Sequence, residues 1–457
     1  MKIKEDINKY IFRGYDIRGV VDKDIDVDTA YTIGLGFGSK LYELGKSSCV
    51  VGHDNRISSP DLHQALIQGL IETGINVIDL GLCTTPMYYF ACIDLKIDSG
   101  IMITASHNPK DENGFKFAFT NYDNAKGKEI EDFYEYIVAG NFHYGKGSIT
   151  KKNVKEDYIK ALTDNLSFGK RRVKVVLDPG NGTTSILLND VFKRVNVDYF
   201  IINGESDGTF PNHHPDPSIE SNLSELKQTV IEKNYDVGLA FDGDGDRVGV
   251  ISNKGNFIPI DYYMIIIIRD IINKVSNKTF LYDVKCSKSL EDEIVKLGGT
   301  PYCYRTGNSY TKAKVKELDL AFGGELSGHV YFRDKFLGFD SGIYAGLRLL
   351  EILSNTNKTV EELLDGINRY YSTPEMKYKT RDEIKFDVVK KIEDYCKDKG
   401  YKYNNIDGVR VTFDDSWASV RASNTGPNLT ARFEASTEKR LEDIKNEFES
   451  LIAKYNK

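Results

Sequence analysis

Ile101-Met102-Ile103-Thr104-Ala105-Ser106-His107-Asn108-Pro109 is the stretch from which the rest of the chain is read. Its apolar triplet reads as a buried strand, which puts Ser106 in the loop just past the strand's carboxyl end. In open α/β sheets ligands bind at that end. Thr104 closes the strand, Ala105 leaves the backbone uncrowded, and Asn108-Pro109 favours an extended turn over a helix. The Ser106 hydroxyl is therefore presented rather than packed. Taken alone, the segment reads first as an ordinary polar turn. The residues around it change that reading.

Outward from this strand, residues 48–51 form an earlier one. A helix then starts at Ser59-Pro60, carries Leu62, Ala65, Leu66 and Leu70 on one face, and ends at Gly74 before a strand at 76–80. This alternation over the first 150 residues predicts βαβ units and a mainly parallel sheet. A second unit has strands at 173–177 and 236–241, the first running into Asp178-Pro179-Gly180-Asn181-Gly182 and the second into an aspartate cluster. A third has a strand at 279–284, a helix at 289–297 and a loop at Gly323-Gly324. Each unit reads as strand, polar loop, helix. Past Arg369 come strand candidates at 408–413 and 418–422 and a charged helix over 437–455, which suggests a smaller α+β domain. The expected limits are 1–150, 151–253, 254–368 and 369–457.

At 457 residues the chain exceeds one compact core, and 40% hydrophobic content is ample for several. A net charge of -7, from 61 basic and 68 acidic residues, argues against nucleic acid or an anionic membrane as partner. An anionic ligand would need a local basic site. The six cysteines include no Cys-x-x-Cys pair and are expected as free, buried thiols in a reducing cytoplasm. The N-terminus leads into no apolar segment of signal-peptide length, and the most apolar run, 262–268, falls short of the ~20 residues a membrane span needs. A cytoplasmic monomer or dimer is expected.

Asp242-Gly243-Asp244-Gly245-Asp246-Arg247 sets three carboxylates at alternate positions, with glycines that let the backbone turn the oxygens toward one point. A calcium loop of EF-hand type fails, because its sixth and twelfth positions hold Arg247 and Asn253. A solvated acidic turn and a magnesium site for phosphoryl chemistry remain. Arg247 beside the cluster could meet phosphate oxygens. Gly323-Gly324-Glu325-Leu326-Ser327-Gly328-His329 offers a carboxylate, a hydroxyl and an imidazole suited to sugar hydroxyls. Arg421-Ala422-Ser423-Asn424-Thr425-Gly426-Pro427, with Arg432, gathers donors that would surround a phosphate or simply form a polar hairpin turn. Arg13 and Arg18 could face an anion or pair on the surface. Gly45-Lys46-Ser47 is no P-loop, since Lys40 stands where its first glycine belongs. Gly34-Leu35-Gly36-Phe37-Gly38 misses dinucleotide-binding spacing and lies in a helix-like stretch.

The Ser106 loop, the aspartate loop, the Glu325 to His329 loop and the Arg421 turn, in this order, resemble the α-D-phosphohexomutase superfamily. Asn113-Gly114-Phe115-Lys116, the Asp178 turn and Pro211-Asn212-His213-His214-Pro215-Asp216-Pro217 add to the resemblance, which spans nearly the whole chain. The Ser106 and His329 loops look most like the phosphomannomutase/phosphoglucomutase branch. The phosphoglucosamine branch, the alternative, usually has serine at the position of Thr104 and glutamine at that of Leu326.

The resemblance implies a four-domain α/β enzyme: three related α/β domains with mixed, βαβ-rich sheets, plus a smaller C-terminal α+β domain, around a central cleft. It implies a phosphoserine at Ser106, one Mg²⁺ per chain held by Ser106, Asp242, Asp244 and Asp246, and hexose phosphates as substrates. Phosphate would move between C6 and C1 through a hexose 1,6-bisphosphate intermediate that also serves as activator. Arg18, Lys116, Arg247 and His329 would act at the transferring group. His107, Lys285, Asn308, Glu325, Ser327, His329, Arg421, Ser423, Asn424, Thr425 and Arg432 would bind substrate. Two residues depart from the pattern: Asn308 stands where histidine is common, and Ser341 where a second aspartate is common. Two other readings compete: an aspartyl-phosphate enzyme of haloacid-dehalogenase type with Asp242 as nucleophile, and a non-catalytic sugar-phosphate binder.

Overall fold

The computed structural model describes residues 1–423 and 426–457. Asn424 and Thr425 lie outside the described residues. The first sheet runs Ile17–Val20, Glu112–Ala118, Gly100–Ile103, Ser48–His53, Asn76–Leu82, Ile149–Lys151. From Gly100–Ile103 onward its strands are parallel, while Glu112–Ala118 is antiparallel to both neighbours. The second runs Phe257–Ile258, Val248–Ser252, Val237–Phe241, Val173–Asp178, Val197–Ile201, with the last three parallel. The third has Thr300–Tyr304, Thr279–Asp283 and Phe322–Gly324 parallel and Val330–Phe332 antiparallel.

The expected order of strand, loop and helix is corrected at the three loops of interest. Each is followed by a returning antiparallel strand: Gly100–Ile103 by Glu112–Ala118, Val237–Phe241 by Val248–Ser252, and Phe322–Gly324 by Val330–Phe332. The physical reason is in the returning segments, which are β-branched or aromatic: Phe115-Lys116-Phe117, Val248-Gly249-Val250-Ile251 and Val330-Tyr331-Phe332. The second sheet also keeps Phe257–Ile258 at its edge, so the chain leaves it only after the limit expected at 253.

The fourth sheet is antiparallel throughout, built on Asn428–Ala435, Ser416–Ala422 and Val409–Thr412 with shorter strands beside them. Helices Lys385–Asp398 and Glu438–Tyr455 cover it. Its core of Val420, Phe433, Ile444 and Phe448 is its own. One continuous core, by contrast, runs through the other three units and joins Val50 and Met102 to Leu177, Val250, Phe280 and Ile343. The apolar helix Ile260–Ile271 lies inside that core. No helix among the described residues is long and apolar enough to cross a membrane. All six cysteines are free thiols, five buried and Cys303 partly so.

Gly34, Gly36 and Gly38 lie in the helix Val27–Glu43, which crosses Ser59–Glu72 closely. A Cβ on Gly34 would stand 2.4 Å from the Leu66 carbonyl oxygen, and one on Gly69 2.3 Å from that of Tyr31. The glycines let two backbones touch. Gly34→Val should therefore cost about 1–3 kcal/mol by overpacking and lower the thermal unfolding temperature of the purified protein. Gly36→Ala, whose Cβ would meet only side-chain atoms of Ile137 and Phe133, should cost less.

Candidate active site

Ser106 sits at the tip of its loop with φ +52, a left-handed conformation that costs a non-glycine residue on the order of 1–2 kcal/mol. The surroundings hold it there. Its N–H donates to Thr104 Oγ1 (2.8 Å), and the Asn108 N–H closes the turn onto the Ala105 carbonyl (3.0 Å). From the loop after Ser48–His53, the buried Arg56 guanidinium donates to four carbonyls: Ser106 (2.8 Å), Asn108 (2.7 Å), Pro109 (2.6 Å) and Glu112 (2.9 Å). Arg18, anchored on Asp16 (2.7 Å), donates to the Ala105 carbonyl (3.0 Å) and Asn108 Oδ1 (2.8 Å). The Ser106 hydroxyl is thereby aimed at the second domain, where it donates to Asp242 Oδ2 (2.8 Å). His107 Nδ1 lies 3.2 Å from the same hydroxyl, and burial together with Arg247 and Arg18 pushes its imidazole well below the usual histidine range.

Asp242, Asp244 and Asp246 are fully buried and each offers one oxygen within 4.8 Å of the others. Burial, then the charges of Asp246 and Asp244, raise Asp242 well above the usual carboxylate range. Burial is the largest influence on Asp244 and Asp246 and raises both, but Lys116, together with Thr85 at Asp244 and with His329 and Arg247 at Asp246, leaves both below that range. That ammonium, from the returning strand of the first domain, lies 2.8 Å from Asp244 Oδ2 and 2.6 Å from Asp246 Oδ2. The two aspartates in turn hold Lys116 well above the ordinary lysine value despite its burial. Asp244 Oδ1 and Asp246 Oδ1 are buried without a hydrogen-bond partner. Three converging carboxylates with two unengaged oxygens fit a hard divalent cation.

The third domain contributes through the loop between Phe322–Gly324 and Val330–Phe332. His329 Nε2 accepts from Arg247 Nε (2.9 Å) and its Nδ1 lies 2.7 Å from Asp340 Oδ2. Together these bonds require the neutral tautomer protonated on Nδ1. Glu325 is buried, accepts from Thr311 Oγ1 (2.5 Å) and Gly307 N (3.3 Å), and is raised chiefly by burial. Ser327 Oγ is buried without a hydrogen-bond partner. Asn308 opens the helix Asn308–Glu317, and its carbonyl accepts from Tyr331 (3.2 Å). Ser341 caps the helix Gly342–Ser354 by accepting from Tyr344 N (3.3 Å), a role serine and aspartate share.

The fourth domain's residues gather at its joint with the third. Arg421 donates to Asp407 (3.0 Å), which also accepts from Thr306 N (3.0 Å). Lys285 pairs with Glu375 (3.1 Å), and Glu375 and Asp283 hold its ammonium above the usual range against burial. Ser423 N donates to the Asn428 carbonyl (2.9 Å), and Lys385 donates to the Ser423 carbonyl (2.9 Å). Arg432 takes a different place: its guanidinium donates to the Lys285 carbonyl and lies over Trp417. Direct contacts thus join Ser106, His107, Lys116, the three aspartates, Arg247 and His329, with Arg18 bonded to the Ser106 loop through Ala105 and Asn108, whereas Lys285, Arg421 and Arg432 form a second group at the joint.

Arg56, Asp340 and Thr85 escape the sequence reading, although Thr85 Oγ1 donates to Asp244 Oδ2 (2.6 Å). Asp54-Asn55-Arg56, a polar run at a strand's carboxyl end, is the signal that could have marked Arg56. Arg56→Lys, which keeps the charge but cannot serve four carbonyls, should lower kcat about 10–100-fold. The same variant should keep its divalent-cation-dependent rise in unfolding temperature, because Arg56 touches none of the three aspartates' side chains. Steady-state kinetics and thermal shift measure both.

Comparison with known proteins follows the same division of the chain. Four family models match in order: phosphoglucomutase/phosphomannomutase alpha/beta/alpha domain I over residues 9–139, domain II over 156–255, domain III over 259–370, and the C-terminal domain over 375–451. A phosphomannomutase/phosphoglucomutase of Pseudomonas syringae pv. tomato is 40% identical over 444 residues, 97% of this chain and 95% of the relative. A phosphoglucomutase of Neisseria gonorrhoeae is 37% identical over 450 residues, covering 98% and 97%. The crystal structure of a phosphoglucomutase/phosphomannomutase family protein from Burkholderia thailandensis superposes with TM-score 0.91 at 36% identity, covering 98% of each chain. With its three hairpin loops meeting at one buried acidic centre, this chain belongs to the phosphoglucomutase/phosphomannomutase family of α-D-phosphohexomutases.

Proposed function

We propose that this protein interconverts hexose 6-phosphates and hexose 1-phosphates, with glucose and mannose as the sugars, through a phosphoserine at Ser106. The observation that carries the reading is the Ser106 hydroxyl, held in a left-handed turn and bonded to Asp242 across the domain boundary. Asp242, Asp244 and Asp246 would hold Mg²⁺. Bound there, the ion supplies positive charge to the phosphoryl oxygens.

The chain's own groups account for the remaining steps. Phosphoryl transfer is mainly positioning and charge stabilisation. In the forward step the bond from phosphorus to Ser106 Oγ breaks as one forms to a sugar hydroxyl oxygen, giving a hexose 1,6-bisphosphate. In the return step the other phosphate's bond to sugar breaks and Ser106 Oγ is phosphorylated again. Arg18, Lys116 and Arg247 meet the transferring group's charge. Lys116, held as an ammonium by its two aspartates, serves best as a cation. His329, unprotonated at Nε2 and steadied by Asp340, is the group able to take the hydroxyl proton once Arg247 turns to phosphate. Glu325 and Ser327 would bind the sugar's O3 and O4, which glucose and mannose present alike. Arg421 and Ser423, with Asn424 and Thr425 next in the sequence, would hold the far phosphate, and Lys285 and Asn308 would line the sugar's path.

Peptide mass spectrometry of the active protein should find phosphate on Ser106, and phosphate on Asp242 instead would replace this reading with an aspartyl-phosphate enzyme. Ser106→Ala should lose at least about 10³-fold in kcat for glucose 1-phosphate and mannose 1-phosphate, assayed with a trace of hexose 1,6-bisphosphate. Full activity in that variant would refute the proposal.

A further inference from the structure

A cavity of ≈ 240 Å³ lies in the seam between the first and third domains, lined by residues other than those assigned to the catalytic centre. At ~30 Å³ per water it holds the equivalent of about eight waters. Its walls are aromatic: Tyr88 and Tyr89 from the helix Thr85–Asp94 on one side, Phe336 and Phe339 on the other. Lys312, on the helix Asn308–Glu317, lines the same space at 8% exposure. Its ammonium lies 3.9 Å from the Tyr89 ring centroid. Among the described residues no carboxylate pairs with it and no oxygen accepts a hydrogen bond from it. A buried charge without a partner is costly, and the cavity is where a partner would fit.

The rim charges, by contrast, are matched. Lys316 lies 3.5 Å from Asp123 and donates to the Asn121 carbonyl, Arg333 pairs with Asp319 (2.9 Å), and Asp98 pairs with Lys46. One cation is left over, so the complementary ligand carries one negative charge. A dianion such as a phosphate ester would bring a second charge toward Asp98 and Asp123. The four rings in its walls favour a flat apolar body as ligand.

We infer that this cavity binds a planar aromatic monocarboxylate, with its carboxylate on Lys312 and its ring among Tyr89, Phe336 and Phe339. Such a ligand spans the seam and ties the first domain to the third. Burial lowers the Lys312 amine to about 8. The groups facing it leave that transition to Lys312: Tyr88 and Tyr89 are held well above the usual tyrosine range, Cys92 is pushed up to about 12, and Asp98 and Asp340 are held below the ordinary carboxylate value. Lys116, held high by its aspartates, faces it from the catalytic side, and Tyr122, Asp123, Lys316 and Arg333 from the rim. The amine is cationic below about pH 8, so affinity is full there and is lost as pH rises above it.

Calorimetric titration of the full-length protein with benzoate and indole-3-acetate tests this, with benzyl alcohol as the neutral match of benzoate. Expected are saturable binding at neutral pH that saturating glucose 1-phosphate does not displace, and a loss of about tenfold or more in Lys312→Met, with benzyl alcohol, and above pH ~9. Leu337→Trp, a change at an exposed rim position that leaves the fold intact, should block entry and give the same loss should Lys312→Met not fold. No saturable binding up to ~10 mM, equal affinity for benzyl alcohol, undiminished binding by either folded variant, or displacement by glucose 1-phosphate would each overturn the inference.

Discussion

Three buried carboxylates within 4.8 Å of one another are the constraint on which the rest of this molecule depends. Each ion removed from water costs several kcal/mol, and their mutual repulsion adds to that. The second domain that carries them supplies one of the cations that answer this charge, Arg247, 3.7 Å from Asp242 and 4.0 Å from Asp246. The first domain supplies the other, Lys116, and the third supplies the neutral His329, whose Nδ1 lies 3.4 Å from Asp246. The cluster is therefore stable only when three domains close on it, and the loops are shaped for that closeness. A Cβ on Gly243 would lie 2.5 Å from the Ser106 carbonyl oxygen, and one on Gly342 2.3 Å from that of Arg247. Both glycines let neighbouring domains press backbone against backbone at the cluster.

The continuous core follows from the same demand. A centre that needs residues from three domains within hydrogen-bonding distance works only if those domains hold a fixed geometry, and packed apolar side chains provide it. The fourth domain is built differently. Its core is separate, and the contacts that dock it on the third are largely polar: Arg410 donates to the Val284 carbonyl (2.6 Å), Glu434 accepts from Lys288 N (2.8 Å), and Asp407 accepts from both sides of the joint. Polar joints of this kind are the ones along which domains move. In the proposed reaction a bisphosphate would react at either end and would need a far-phosphate holder that adjusts while the reacting centre does not, and this division of cores fits that need.

Much of the candidate site was legible because its residues sit at strand ends and are of types with few structural reasons to be there. Ser106 after Ile101-Met102-Ile103 and the aspartates after Val237–Phe241 are such cases. Arg56 was not legible, since its role lies in four carbonyls more than 45 residues away and nothing in its neighbours names them. Arg432 reads as a phosphate donor from its position after the turn, yet its strand carries it beneath the Lys285 carbonyl and over Trp417. The helices expected after the loops failed for a local reason, the β-branched and aromatic segments that follow them.

The sequence by itself determined the four-part order of the chain, the candidate loops at the strand ends, and the identity of the acidic cluster, because strand periodicity, turn residues and alternating Asp-Gly are local signals. Only the tertiary structure decided that Lys116 neutralises Asp244 and Asp246, that His329 is held by Asp340 and Arg247, and that Lys312 is buried with no carboxylate paired to it among the described residues. Lys116 with its aspartates, and Arg247 with His329, join residues from different domains. Burial and charge compensation act through space, across separations along the chain that no local pattern encodes.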